Sequence, residues 1–451
     1  MLVSLGSGMF PRNESLDTTL QRLLIFTFIA LCPIQDFILR GTALIAIVGS
    51  SPSSVPLLFI IFLTLAPWVV CGRFRVLQVG AIAALYAFML TIYGVMQFGM
   101  TFYGQNLLRT SLGSLMILSL FLAAIFIPRY ELRGTVRSAC YVAFFILVLG
   151  LCFSHPTPFG LPRFFDNPAF HSTIIPTLDR PRGLSSEPSF LSVTTISIGL
   201  LCAHFSRKRI SKTFFLLVTV GLLLAIGSKG GIFIIFICLG ILAMLRFRKW
   251  YQLPVLGLAI VPLALIATAS IPTLFPETGI LQSGSVQTRA SMILCATAIV
   301  AHHPFGVGFS GYRAAVSKYL PDSMSSIQSL SPLPLDFSEV SEYLGVSPNV
   351  GTKTFFFDQA MCFGLPFVIL FIVLIIRLLK RLSVEKRILF VGVMAVAIAF
   401  CSYVSVSGEY ATAILLGVAI QETGRNLFGR ARPIIQAQIA HSNRKKLTIL
   451  D

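Results

Sequence analysis

Residues able to do chemistry gather in four short stretches of an otherwise apolar chain. "DRPRGLSSEPSF" (179–190) sets Arg180, Arg182 and Glu187 between prolines, immediately ahead of the apolar run "LSVTTISIGLLCAHF". "AIGSKGGIFII" places Lys229 among Gly227, Gly230 and Gly231, between two apolar runs. "SVQTRASMILCATAIVAHHPFGVGFSGYR" supplies Arg289, then His302 and His303, then Gly306, Gly308, Tyr312 and Arg313, with Lys318 close behind. "SPNVGTKTFFFDQ" brings Lys353 to the head of a further apolar run. Arg grips phosphate through planar bidentate hydrogen bonds, and Lys acts on it as a point charge. One or two cations at each of several helix mouths therefore suit a multiply charged anion held at a membrane surface. A lipid-linked pyrophosphate meets that description.

Each residue also has a plainer reading. Glu187 would serve equally as a helix-start carboxylate, with Ser185 or Ser186 as the N-cap. Arg182 is harder to explain that way, because a cation gains nothing from the N-terminal end of a helix dipole. Lys229 either snorkels to the headgroups or faces an internal cavity. A charge at mid-bilayer costs about 2.5–3.5 kcal/mol, and less near the interface. The glycines beside Lys229 would let a ligand or another backbone approach closely. His302 and His303 can act as acid or base near neutral pH, but two histidines alone do not make a metal site. Nine cysteines are scattered singly, without ligand spacing. They read as small buried hydrophobes rather than as disulfides or metal ligands.

The elements that must position these groups are membrane helices. The 451 residues are 55% hydrophobic and only 12% charged, with 39 Phe, more apolar surface than a soluble chain can cover. The expected class is all-α: one polytopic transmembrane domain over residues 1–451. Runs of about 17–25 apolar residues match a hydrocarbon core of roughly 30 Å. Twelve spans are expected near 23–40, 55–72, 76–97, 111–128, 138–154, 188–205, 213–227, 230–245, 252–271, 355–376, 388–406 and 409–424. The first reads as a retained signal anchor.

Basic residues sort by side. The even-numbered connections and both termini, including a basic tail at 425–451, carry 25 of the 35 Lys and Arg. By the positive-inside rule that face is cytoplasmic. The net charge of +18 then reflects helix-end anchoring and anionic lipid, not nucleic acid. Two outer segments, 155–187 and 272–354, are too long to be plain connectors. They are expected to be ordered and to hold short helices, one of them an amphipathic helix at 286–301 on the outer surface. Orientation does not require the cations found outside, and these include Arg180, Arg182, Lys229, Arg289, Arg313, Lys318 and Lys353.

"RPRGLSSEPSFLSVTTISIGLL", "LLLAIGSKGGIFIIFICLG", "QTRASMILCATAIVAHHPFGVGFSGY" and "SPNVGTKTFFFDQAMCFGLPFVILFIVLI" together resemble, in order, the motif blocks of bacterial O-antigen and exopolysaccharide polymerases. The likeness covers roughly residues 180–376 and points to the O-antigen polymerase/ligase superfamily. It implies an inverting glycosyltransferase of the bacterial inner membrane, with its active site on the periplasmic side. The implied substrate is an undecaprenyl-diphosphate-linked oligosaccharide, with no metal and no cofactor. Residue by residue, it implies Arg182, Lys229 and Arg289 as cations around the diphosphate, with Gly306, Gly308 and Tyr312 shaping the site. Arg180, Arg313 and Lys353 are further candidate contacts to diphosphate or glycan. Glu187, His302 or His303 would accept the hydroxyl proton. A chain-length regulator is an expected protein partner. Ligases of the superfamily typically carry a histidine before the helix that begins near Phe355, where this chain has "SPNVGTK". That departure favours polymerase over ligase, with a glycolipid transporter as a third reading.

Overall fold

The computed structural model describes residues 14–35, 51–70, 74–128, 132–154, 181, 183–185, 187–246, 284–330, 334–344, 354–382, 386–405 and 409–428. In chain order its helices are α1 (Glu14–Leu31), α2 (Ser54–Val70), α3 (Phe74–Phe98), α4 (Leu107–Phe126), α5 (Arg133–Ser154), α6 (Pro188–Phe205) and α7 (Arg209–Ile226). They continue as α8 (Lys229–Arg246), α9 (Gly284–His302), α10 (Gly308–Gln328), α11 (Ser338–Ser341), α12 (Phe355–Leu382), α13 (Arg387–Ser402) and α14 (Tyr410–Phe428). A hairpin of two-residue strands, β1 (Thr101–Phe102) and β2 (Gln105–Asn106), joins α3 to α4. The described residues are thus all-α apart from that turn.

Helices stand at eleven of the twelve expected spans, and the remaining one, 252–271, lies outside the described residues. Five of them, α4, α5, α6, α7 and α12, are long and apolar enough to cross a membrane. The first helix differs from expectation, running Glu14–Leu31 instead of 23–40. Its polar opening residues continue the helix inward, and Pro33 ends it, since proline cannot extend a helix and restricts the residue before it.

Helix α6 forms the centre, packed by α5, α7, α8, α13 and α14. Its sequence "PSFLSVTTISIGLLCAHF" is rich in small residues, which let neighbouring backbones approach. Of its apolar stretch 78% is buried, against 17% for α7 and 11% for α12. Those two lie at the periphery and turn Leu217, Ile369 and Leu370 outward, as lipid-facing helices would.

A second, smaller core sits between α9, α10 and the start of α12. Met292, Cys295, Ala296 and Ile299 recur at helical spacing along one face of α9 and are fully buried. The amphipathic helix expected at 286–301 is present, but its apolar stripe faces protein. At 19 and 21 residues, α9 and α10 are also longer than the short helices expected of that segment.

Candidate functional site

Helices α6, α8, α12 and α14 begin, and α1, α5 and α13 end, around one mouth of the bundle. The residue that opens α6 is Glu187, which holds the N-cap position in an extended conformation with Pro188 at N1. It makes no side-chain cap bond, and the N-cap expected at Ser185 or Ser186 falls instead on Glu187. Ser189 Oγ donates to Glu187 Oε2 at 3.1 Å, while Ser185 Oγ donates instead to Gln35 Oε1. The Glu187 side chain is half-buried at the start of the helix.

Across from it, α9 presents Arg289, which is half-buried. Burial pulls its pKa below the ordinary arginine value, while the nearby charges of Glu187 and Glu339, then Tyr403 and Tyr343, pull it back up. An arginine so placed keeps its charge, and that charge favours an anion beside it. Glu339 is itself tied to α9, where Thr288 Oγ1 donates to Glu339 Oε2 at 3.1 Å.

Tyr403, at the end of α13, knits three of the four motif stretches together. Its hydroxyl lies 3.4 Å from Ser192 Oγ on α6. Its ring lies so near the start of α8 that a Cβ on Gly230 would come within 2.9 Å of it. A Cβ on Gly231 would come within 2.8 Å of Ser192. Gly230 and Gly231 are therefore closed on by protein rather than open to a ligand. Helix α8 starts at Lys229 itself. Next to Tyr403, Val404 O accepts from Phe355 N at 2.6 Å, which brings the head of α12 to the same place. Arg180, Arg182 and Lys353 lie outside the described residues.

Beneath the mouth is a carboxylate that the motif reading missed. Glu409, just ahead of α14, is fully buried. Its Oε1 accepts from Gln35 Nε2 at 3.1 Å and its Oε2 from Thr194 Oγ1 at 3.1 Å. Among the described residues no cation lies within ion-pair distance of it. An acidic residue opening an apolar run, in "SGEYATAILL", was the signal that could have found it.

The structure draws other predicted residues elsewhere. The "HHPFGVGFSGY" segment crosses α12 where Gly364 breaks the helix with φ 68°. Val307 N donates to Met361 O at 2.9 Å, and Leu365 N donates to Pro304 O at 2.7 Å. A Cβ on Gly306 (φ 89°) would meet Cys362 O at 2.4 Å, and one on Gly308 would meet Leu90 O on α3 at 2.4 Å. Both glycines are filled by backbone, so they shape the crossing rather than a ligand surface. Tyr86 Oη on α3 reaches Phe363 O at 2.9 Å and Phe305 O at 3.0 Å, supplying the donor that the broken helix lacks.

His302 closes α9 and His303 follows it, about 20 Å along the helix from Arg289. His302 Nδ1 meets Ala298 O at 2.8 Å. His303 sits between Tyr93 Oη (3.0 Å) and Tyr319 Oη (3.3 Å), its pKa lowered by burial and then by Lys318 and His302. Tyr312 Oη donates to Asp358 Oδ1 at 3.0 Å, and burial followed by the Asp358 charge raises its phenol pKa well above normal. Arg313, next along α10, is likewise pulled below its normal value by burial. The two histidines are therefore separated from Arg289, whereas Glu187 is beside it.

The fold and the mouth thus describe a helical bundle with an apolar exterior and a charged, partly buried entrance. The chain is similar to an uncharacterized 49.5 kDa protein in the cps region of Klebsiella pneumoniae, 27% identical over 265 residues. The matched residues make up 57% of this chain and 60% of that protein's length. No family model matches the chain.

Proposed function

We propose that this chain is a polysaccharide polymerase of the bacterial inner membrane, working at the mouth between α6, α8, α9 and α13. In this reading the mouth faces the periplasm and both termini face the cytoplasm. A hydroxyl on one undecaprenyl-diphosphate-linked oligosaccharide attacks the anomeric carbon of another glycan. The bond from that carbon to the diphosphate oxygen breaks, undecaprenyl diphosphate leaves, and the anomeric configuration inverts. Diphosphate is already a good leaving group, so the protein has to position the partners and stabilise developing negative charge.

The observation that carries the reading is the placement of Arg289 beside Glu187, with Tyr403 joining both to the start of α8. Arg289 takes the role of diphosphate cation, assisted by Arg182, Lys229, Arg180 and Lys353 from the same motif stretches. Glu187 takes the hydroxyl proton, since it alone of the three candidate bases stands by Arg289. The similarity to a protein in a cps region supports polysaccharide biosynthesis as the setting. A chain-length regulator is the protein partner this reading calls for.

The test is reconstitution of the purified chain in vesicles with lipid-linked repeat units as sole substrate. Long-chain glycan, with undecaprenyl diphosphate released, is the expected product. Glycan transferred only after a different acceptor is added would make the chain a ligase. No transfer to any acceptor would overturn the glycosyltransferase reading.

A further inference from the structure

Four buried side chains from four separate segments form one hydrogen-bonded chain under the mouth. Glu409 precedes α14, Gln35 follows α1, Thr194 lies on α6, and Ser185 belongs to the loop that delivers Glu187. None is more than 5% exposed. Thr194 Oγ1 donates its single proton to Glu409 Oε2 at 3.1 Å. The two Gln35 amide protons go to Glu409 Oε1 at 3.1 Å and to Thr194 Oγ1 at 2.5 Å. Ser185 Oγ donates to Gln35 Oε1 and also lies 3.2 Å from the Glu187 carbonyl. Gln35 N donates to Leu184 O at 2.9 Å. Every donor in this set has an acceptor, and both carboxylate oxygens have a donor. A network this complete fixes the orientation of each member.

We infer that Glu409 is a positioning residue for the proposed reaction, setting through Gln35 and Ser185 the loop that carries Glu187 into the neighbourhood of Arg289. The inference rests on the polymerase reading for its link to catalysis, but not for the anchoring itself. A carboxylate here has a use that a hydrophobic residue could not match. It presents two acceptors to two donors that would otherwise be buried without partners, which costs about 1–3 kcal/mol for each group left unmade. Glutamine has nearly the same shape. Its oxygen can accept from Gln35, and its amide can donate to Thr194 Oγ1 once that hydroxyl turns its own proton to the backbone carbonyl one helical turn back, so it can keep the loop in place without the charge.

The experiment compares Glu409→Gln, Glu409→Ala and Gln35→Leu in the full-length chain in lipid nanodiscs. Hydrogen exchange over residues 184–191 reads the anchor directly, and polymer formed from lipid-linked repeat units reads its consequence. Glu409→Ala and Gln35→Leu should speed exchange in this loop about tenfold, as expected for local release of a packed segment. They should lower kcat about 10²-fold, the scale set by misplacing a catalytic group by an ångström or so. Glu409→Gln should restore both readouts to near the wild-type level. If Glu409→Gln is as damaged as Glu409→Ala, the charge itself is at work and the positioning role is overturned. Unchanged exchange in both Glu409→Ala and Gln35→Leu overturns the anchor. Should Glu409→Ala fail to accumulate, Gln35→Leu carries the same comparison. A wild-type chain that makes no polymer removes the polymerase reading, while the exchange data still decide the anchor.

Discussion

The two ends of the bundle treat charge differently. At the end opposite the mouth, Glu422 on α14 is only 9% exposed and is surrounded by bases from three other segments. Arg133 Nη1 opens α5 and lies 3.2 Å from Glu422 Oε1. His204 Nε2 closes α6 at 3.8 Å, and Lys386 Nζ, ahead of α13, pairs with Oε2 while donating to Glu422 O at 2.9 Å. That cluster is a clasp, in which one acid ties four helix ends and pairs with both Arg133 and Lys386. At the mouth the pattern is inverted. Arg289 is one cation with Glu187 and Glu339 near it, and Glu409 is a carboxylate held by neutral donors. A fold needs the first arrangement to close. The second gathers charge where four motif stretches converge, as the proposed anion chemistry requires.

The contrast can be broken at either end. The largest expected effect on folding comes from Glu422→Ala, which strands three bases. Breaking such a buried pair costs roughly 3 kcal/mol here, toward the low end of the usual range because Arg133 is 40% exposed. Thermal unfolding in detergent should show the loss, while transfer per folded molecule stays at the wild-type level. Arg289→Ala should do the reverse. Transfer falls by about 10²–10³, the usual loss for one charge-stabilising donor, with little change in melting temperature. Glu187→Gln sharpens the assignment further. Loss of the proton acceptor lowers kcat by about 10²-fold, without raising KM, because a carboxylate that opposes bound diphosphate has gone.

The smallest effect is one of pH. His303 has its pKa lowered in the fold, so the unfolded chain takes up its proton first as the medium acidifies below about 6.5. Stability contributed by neutral His303 is present above that pH and declines as pH falls below it. His303→Gln should therefore flatten the acid limb of a melting-temperature profile slightly and leave transfer at neutral pH unchanged. A large loss of transfer in His303→Gln would reopen the histidines as candidate bases.

Much of the helical framework was legible in the sequence. Apolar runs placed ten helices close to where they stand, with the first displaced toward its polar start, because length and hydropathy are what a membrane selects. Arg289 and Glu187 were legible as well, since charges at a helix mouth stand out against apolar neighbours. Other parts were not. The resemblance gave Gly306 to the shaping of the site, and Gly230 suggested close approach of a ligand or another backbone, but only the fold shows that Cys362 O and the Tyr403 ring already fill those spaces. Tyr86, Tyr403, Gln35 and Glu409 lie within apolar runs or at their edges, where one polar residue is unremarkable. Their importance comes from partners more than 100 residues away along the chain, such as Phe363 for Tyr86 and Thr194 for Gln35. His302 and His303 stood as alternative bases in the same motif stretch as Arg289, and the length of α9 sets them about 20 Å along the helix from it.

The most direct test of the mouth as the reaction centre follows undecaprenyl diphosphate released by purified chain from lipid-linked repeat units, wild type against Arg289→Ala. Release matched one-for-one by new glycosidic bonds in the wild type, and lower by about 10²–10³ in the variant, is the predicted outcome. Equal release from both proteins, with Arg289→Ala folded and membrane-inserted, would contradict it.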